Sequence, residues 1–271
     1  MDERYNEEIK RRVELLRPID DIFMYSIFKD DIPLTEMMLQ RIMGIPSLTV
    51  RQMDVQYDID LRAIGARSLR LDIFATDSND NAYDIEIQRD DRGAQPKRAR
   101  YHASAMDVAR LKQSQDFTEL HEVYVIFITE HDFWKDGKAL HVFDRSDTNT
   151  GKPLDDGTHI IYVNGQYQAN DLIGDLMHDF SCAKTADMRI PRMAAKCRYF
   201  KDTEEGETKM CQIIEDFAKE YAKEYAKEYA NSIAINNALK MLKNSKLSLG
   251  EIAEYTNLSQ EKVASLAEIS S

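Results

Sequence analysis

Apolar and polar residues alternate most sharply between residues 69 and 88. Leu69-Arg-Leu-Asp-Ile-Phe-Ala and Ala82-Tyr-Asp-Ile-Glu-Ile-Gln both repeat with period two, the mark of strands. The intervening Asp77-Ser-Asn-Asp-Asn81 is a cluster of turn formers, so the two strands read as a hairpin. Upstream the period is helical. Residues 3–16 form a charged helix with Val13, Leu15 and Leu16 near its end. Arg17-Pro18 stops it, because the residue before proline is pushed out of the α region. Asp20 can cap a second helix carrying Ile22, Phe23, Ser26 and Ile27, and Pro33-Leu34-Thr35 opens a third that runs to Gly44.

Downstream, a helix is expected from Pro96 to about Leu111, with Ala99, Ala103, Ala105 and Val108 on it. Val123-Tyr-Val-Ile-Phe-Ile-Thr is apolar on both faces and reads as a buried central strand. Asp136-Gly137 marks a turn, Leu140 to Phe143 a returning strand, and His159-Ile-Ile-Tyr-Val another; helix resumes near Asp171. Trp134, just before the turn, is expected to pack there.

The tail differs in kind. Phe217-Ala-Lys-Glu-Tyr-Ala-Lys-Glu-Tyr-Ala-Lys-Glu-Tyr-Ala is a four-residue repeat, rich in helix formers. A helix turns about 100° per residue, so each repeat drifts by about 40°. The Tyr221, Tyr225, Tyr229 stripe therefore winds around the helix, which suits a spacer better than a coiled-coil seam, with an oligomerisation helix as the alternative. Residues 232–271 carry three short helical patterns, with a capping-box signature at Ser248 and Glu251 and a second cap at Ser259. Leu249, Ile252, Ala253, Leu258, Val263 and Leu266 would pack together at helix-turn-helix spacing. The last helix sets Glu261 and Glu268 against Lys262, a poor balance for approaching phosphates, so a small packing module is at least as good a reading as a DNA reader.

Composition narrows the class. With 271 residues, 43% of them hydrophobic, the chain has the length and apolar content of one or two globular domains. A net charge of −12 argues against coating nucleic acid or anionic membrane through bulk positive charge, but leaves room for a locally basic site. Cys182, Cys197 and Cys211 show no disulfide or zinc spacing, the charged N-terminus is unlike a signal peptide, and the longest apolar run is strand-sized. A soluble cytoplasmic protein is expected. Neither a Gly-rich phosphate loop nor an H-E-x-x-H pair is present.

The candidate chemistry lies in the hairpin. A turn centred on Asn79 sets Asp72 opposite Glu86, and directly opposed side chains have Cβ atoms about 4.5–5.5 Å apart. Period two places Asp84, Glu86 and Gln88 on one face with Asp72, and Leu71, Ile73, Ile85 and Ile87 on the other, toward the core. Facing carboxylates repel, and a hard divalent cation resolves the conflict; such an ion suits phosphodiester hydrolysis. The plainer alternative is an exposed acidic face of a hairpin, Asp84 included. Arg89, Arg92, Lys97, Arg98 and Arg100 follow as a local basic cluster, which fits a phosphate backbone or, equally, pairing with surface acids. His102 reads either as a residue beside the cleft or as an ordinary surface or half-buried histidine.

These segments together resemble the PD-(D/E)XK nuclease superfamily: Asp72 in Leu-Asp-Ile, the hairpin, Ile-Glu86-Ile-Gln88, then a helix with Arg-x-Arg-Tyr101. The closer likeness is to the PD-(D/E)XK nuclease family transposases, related to the Rpn recombination-promoting nucleases. Arg17-Pro-Ile-Asp-Asp-Ile-Phe, the strand from Val123 and Arg198-Tyr-Phe-Lys201 share in it, over about residues 15–215. The resemblance implies an α/β restriction-endonuclease-like core, a mixed sheet flanked by helices, with an α-helical C-terminal extension. Its expected divisions are a nuclease-like domain over 1–205, a helical spacer over 206–231 and a helix-turn-helix-like tail over 232–271. It implies Asp72, Glu86 and the Ile87 carbonyl as ligands of Mg²⁺ or Mn²⁺. Asp20, or its neighbour Asp21, would be an additional acid. Lys97, Arg98, Arg100 and Tyr101 would contact DNA. Gln88 departs from the family's lysine: glutamine can orient a water but supplies no charge, a lack that Arg98 or Arg100 would have to make good. The implied function is a metal-dependent DNA endonuclease, in a setting of recombination or mobile elements. The alternative is a catalytically weak nuclease-fold module that binds DNA or protein, and in either case the C-terminal helices are a candidate route to a homo-oligomer. No strand-transfer chemistry is visible, so nuclease is the safer reading than transposase.

Overall fold

The computed structural model describes residues 3–244 and 246–270. Its contacts divide the chain into two units, Met1–Cys211 and Gln212–Ser271. The first is built on a six-stranded mixed sheet of order β1-β2-β3-β4-β6-β5. The strands are β1 Val50–Ile59, β2 Leu69–Asp77, β3 Ala82–Gln88, β4 Val123–Thr129, β5 Leu140–Phe143 and β6 Thr158–Asn164. β1, β2 and β3 form an antiparallel meander, β3, β4 and β6 run parallel, and β5 returns antiparallel on β6.

The helices of this unit are α1 Glu3–Leu15, α2 Asp21–Phe28, α3 Ile32–Met43, α4 Pro96–Arg110, α5 Leu172–Ser181 and α6 Pro191–Asp202. The starts of α3, α4 and α6 all carry proline, whose fixed φ suits a first turn. α3 ends at Gly44, which takes the left-handed φ of 65° that a Cβ would disfavour. α4 is the crossover between the parallel strands β3 and β4, and it lies on β4 and β6. Its Ala99, Ala103, Ala105 and Met106 pack with Phe74, Ala82, Val125, Phe127 and Tyr162 of the sheet. Ile73 and Ile85 pair on the opposite face and are equally buried. α2 and α3 pack on β1, α5 on α3, and α6 on α2. Lys201 of α6 donates to the carbonyls of Glu14, Leu16 and Ala183, tying the end of α1 to the chain after α5.

The hairpin has the register expected from its turn: Ile73 faces Ile85 and Phe74 faces Asp84. Asp77 holds that turn by accepting from the amides of Asn79 and Asn81, the Asn81 side chain and the Tyr83 hydroxyl. β1 was not expected from periodicity. Its register shifts between Val50 and Gln52, and Gln56 has a left-handed φ of 57°, so the apolar residues do not alternate cleanly.

Within the second unit, the first of the expected short helices is instead the end of a long one. α7 runs Glu204–Asn244, and beyond Gly206 it contains neither glycine nor proline to stop it. α8 Leu249–Thr256 carries the expected capping box, with Ser248 and Glu251 each bonding the other's backbone amide. Ser259 accepts from Lys262 N ahead of α9 Gln260–Ser270. Ile252, Ala253, Val263 and Leu266 are buried with Ala238, and Leu258 packs on them. Leu249 is 42% exposed and does not join that core. Tyr221, Tyr225 and Tyr229 are all exposed.

Candidate active site

The hairpin ladder ends at Ile73–Ile85, and beyond it carboxylates take the place of backbone carbonyls. Asp72 N donates to Glu86 Oε1 at 3.1 Å, and Ile87 N donates to Asp72 Oδ2 at 2.9 Å. Each acid thus accepts an amide from the opposite strand, which holds the two side chains side by side where β2 and β3 part.

The acids are not on an exposed face. Asp72 is half-buried, while α4 closes over the others, and Asp84, Glu86 and His102 are completely buried. The readings of Asp84 as a surface acid and of His102 as a surface or half-buried histidine are therefore overturned. Period two fixes which residues share a face, but not whether water or a helix covers it.

Arg98 enters this acidic pocket from the first turn of α4. Its Nη2 donates to Glu86 Oε2 at 2.6 Å, Nη1 to Gln88 Oε1 at 3.4 Å and to Gly93 O at 3.2 Å, and Nε to His102 Nε2 at 3.2 Å. Gln88 Nε2 donates to the same Glu86 Oε2 at 3.1 Å. Gly93 leaves room for this arrangement, since a Cβ at that residue would lie 1.8 Å from Gln88 Oε1 and would displace the Gln88 side chain. His102 Nδ1 is 2.7 Å from Asp84 Oδ2, and Asp84 Oδ1 has no hydrogen-bond partner.

Burial dominates the electrostatics. It pushes Asp72 up to about 8, helped by the charge of Glu86 and opposed by the Ile87 amide. It likewise pushes Glu86 up to about 8, helped by Asp84 and opposed by His102 and Arg98. Asp84 is driven well above the carboxylate range by burial and then by Asp72. Burial lowers His102, opposed by the charge of Glu86. Three clustered carboxylates facing one arginine cannot all ionise unless a further cation joins them; otherwise some stay protonated.

Asp20 and Asp21 separate clearly. Asp20 is the N-cap residue of α2, but its side chain accepts from Arg17 N at 2.7 Å and pairs with Arg17 and Arg89. Both arginines also pair with Glu130, closing a ring of alternating charge. Asp21, raised chiefly by burial, is the acid of the pair whose charge acts on Asp72. Of the two candidates for the additional acid, Asp20 is engaged in this ring and Asp21 is not part of it.

A cleft of about 700 Å³ opens beside the acids, lined by Arg67, Arg70, Arg92, Lys97, Arg98 and Tyr101, among others. Tyr101 donates its hydroxyl to Arg67 O at 2.6 Å, which joins α4 to the segment before β2. Arg100 is exposed but does not line the cleft. Arg67 and Arg70 were not singled out from sequence. Their signal was a second basic cluster, Arg62, Arg67 and Arg70, lying upstream of the acids instead of downstream.

Among the described residues, Asp84, Glu86 and His102 offer ligand atoms within 4.8 Å of one another, as do His178, Asp179 and Cys182 near the end of α5. In the second group Asp179 is already taken by the amides of Arg189 and Ile190, and burial raises the Cys182 thiol. In the hairpin site, oxygen donors and pent-up negative charge fit a hard divalent cation.

The comparison with protein families bears on this geometry. Residues 47–167 match the family model of the PD-(D/E)XK nuclease family transposases. The match runs from just before β1 to just after β6, so it contains the whole sheet, the hairpin acids and α4. The mixed six-stranded sheet, its flanking helices and the helical C-terminal region agree with the PD-(D/E)XK nuclease fold. The family match supports nuclease activity in general terms, and the Rpn branch is compatible with it. No curated protein and no solved structure gives a significant match. Among the described residues, no helix is long and apolar enough to cross a membrane.

Proposed function

We propose that the chain is a metal-dependent DNA endonuclease that hydrolyses phosphodiester bonds. The observation that carries this reading is the juxtaposition of clustered carboxylates, the half-buried Asp72 and the buried Glu86 both pushed up to about 8, with an arginine- and lysine-lined cleft. Asp72 and Glu86 would hold Mg²⁺ or Mn²⁺, with the Ile87 carbonyl as a further ligand. A cation there supplies Lewis acidity at a phosphoryl oxygen and favours ionisation of a bound water. The Gln88 amide, fixed by Glu86 and Arg98, orients the attacking water. The Arg98 guanidinium supplies positive charge beside it. Lys97, Arg67 and Arg70 would take flanking phosphates, with Tyr101 bracing that wall and Arg100 at its outer edge. Asp21 raises the negative potential at Asp72.

The purified protein is expected to nick or cut plasmid DNA with Mg²⁺ or Mn²⁺, and Asp72→Ala to abolish cutting. Cutting that survives both EDTA and Asp72→Ala would rule the proposal out.

One observation favours a second reading, a binding module that keeps the nuclease fold. Arg98 already pairs with Glu86, the carboxylate that a metal needs. DNA binding that persists while calorimetry detects no divalent-cation binding would select it. The C-terminal helices are the proposed route to a homo-oligomer, supported by the exposed Tyr221, Tyr225 and Tyr229 and the stacking of the last two. Changing all three to serine should lower the mass measured by light scattering; an unchanged mass rejects that role.

A further inference from the structure

Arg98 is held at four points, and one of them leads away from the reaction centre into the protein. Its Nε meets His102 Nε2 at 3.2 Å, and His102 Nδ1 meets Asp84 Oδ2 at 2.7 Å. An arginine Nε–H can only donate, so His102 Nε2 accepts and the ring proton sits on Nδ1. That proton is donated to Asp84 Oδ2, which can accept it whether or not Oδ1 carries a proton. All the polar contacts follow from one tautomer, which the Arg98 Nε–H selects and the Asp84 carboxyl accommodates.

The same logic decides between two uses of His102. As a metal ligand through Nδ1, it would carry its proton on Nε2, directly against the Nε–H of Arg98. Two donors would then oppose each other. The Arg98–His102 hydrogen bond therefore excludes ligation through Nδ1, although Asp84, Glu86 and His102 lie close enough to surround an ion.

We infer that Asp84 and His102 are positioning residues that form a buried relay holding Arg98 over Glu86 and Gln88, so that its charge stays fixed at the reaction centre. A surface arginine keeps many rotamers and spreads its charge over them; this one is braced from behind by a fully buried imidazole and carboxylate. The inference deepens the nuclease proposal and rests on it for its kinetic arm only.

His102→Leu keeps an apolar side chain against Phe127, whose ring centroid is 6.3 Å from that of His102, and removes both hydrogen bonds. His102→Gln can still accept from Arg98 through its carbonyl and donate to Asp84 through its amide. In ¹⁵N-edited NMR of the full chain, the Arg98 Nε–H, assigned with Arg98→Lys, should be protected from solvent exchange. Protection should be lost in His102→Leu and in Asp84→Ala, and restored in His102→Gln. In cleavage assays His102→Leu should lower kcat by about tenfold or more, the usual scale for loss of an orienting partner, with KM for DNA and Mn²⁺ affinity little changed. His102→Gln should recover most of that loss. Unchanged protection in His102→Leu overturns the relay, and so does a loss of Mn²⁺ affinity matching that of Asp72→Ala, which would make His102 a ligand. If the wild-type protein cuts no DNA, the nuclease proposal fails while the NMR result still judges the relay.

Discussion

At the scale of single residues, the site stores unfavourable charge. Asp72 and Glu86 sit near 8 in the folded protein, against about 4 for an unperturbed carboxylate. Between these values the folded state holds more protons than the unfolded chain, so stability falls as pH rises through that window. The melting temperature of the metal-free protein should therefore drop from about pH 5.5 to about pH 8.5, and drop less in Glu86→Gln. Mg²⁺ should raise it more at the upper pH, because the cation replaces protons that have left. Equal slopes in wild type and variant would show that these acids do not carry the effect. The pairing of Asp72 with Glu86 was legible from the turn alone. The roles of Asp84, His102 and Arg98 were not, because each depends on α4 closing over the hairpin, and strand periodicity carries no information about the cover. The partners of Asp20 were hidden for a related reason: it occupies the expected cap position, but Arg17 and Arg89 pair with its carboxylate.

At the scale of elements, the hairpin turn sets the chemistry that lies several residues away. Asp77 is nearly buried and satisfies four donors around the turn. Asp77→Ala should cost about 1–3 kcal/mol in denaturant unfolding, the scale of leaving buried donors unpaired. It should also reduce cleavage, since a one-residue slip would turn Asp72 away from Glu86. A loss of stability below about 0.5 kcal/mol would mean that the strands hold their register without the turn. The regular strands and helices were readable where their period was intact. β1 escaped because Gln56 breaks its alternation, and α7 looked like several helices because its apolar positions are irregular although nothing in its sequence stops it.

At the scale of the whole molecule, a charge of −12 does not prevent a locally basic cleft, because Arg67, Arg70, Arg92, Lys97 and Arg98 converge on one wall. Binding to duplex DNA should be strongly salt-dependent but limited to few phosphates. Measured by anisotropy in EDTA, Arg67→Ala and Lys97→Ala should each reduce the slope of log K against log salt by about 0.9, the value for one lost phosphate contact. An unchanged slope for both would move the DNA path elsewhere. Charge balance alone pointed away from nucleic acid; only the folded arrangement of residues 67–101 shows how an acidic protein presents a cationic wall.

The residues that meet at the site come almost entirely from one stretch of chain. Arg67 through His102 contains the cleft wall, the paired acids, the glutamine, the arginine and its braces, with Asp21 as an outlying contributor. A segment of fewer than forty codons carries the candidate site, while the connection between β4 and β6 and the helical tail lie outside it in sequence.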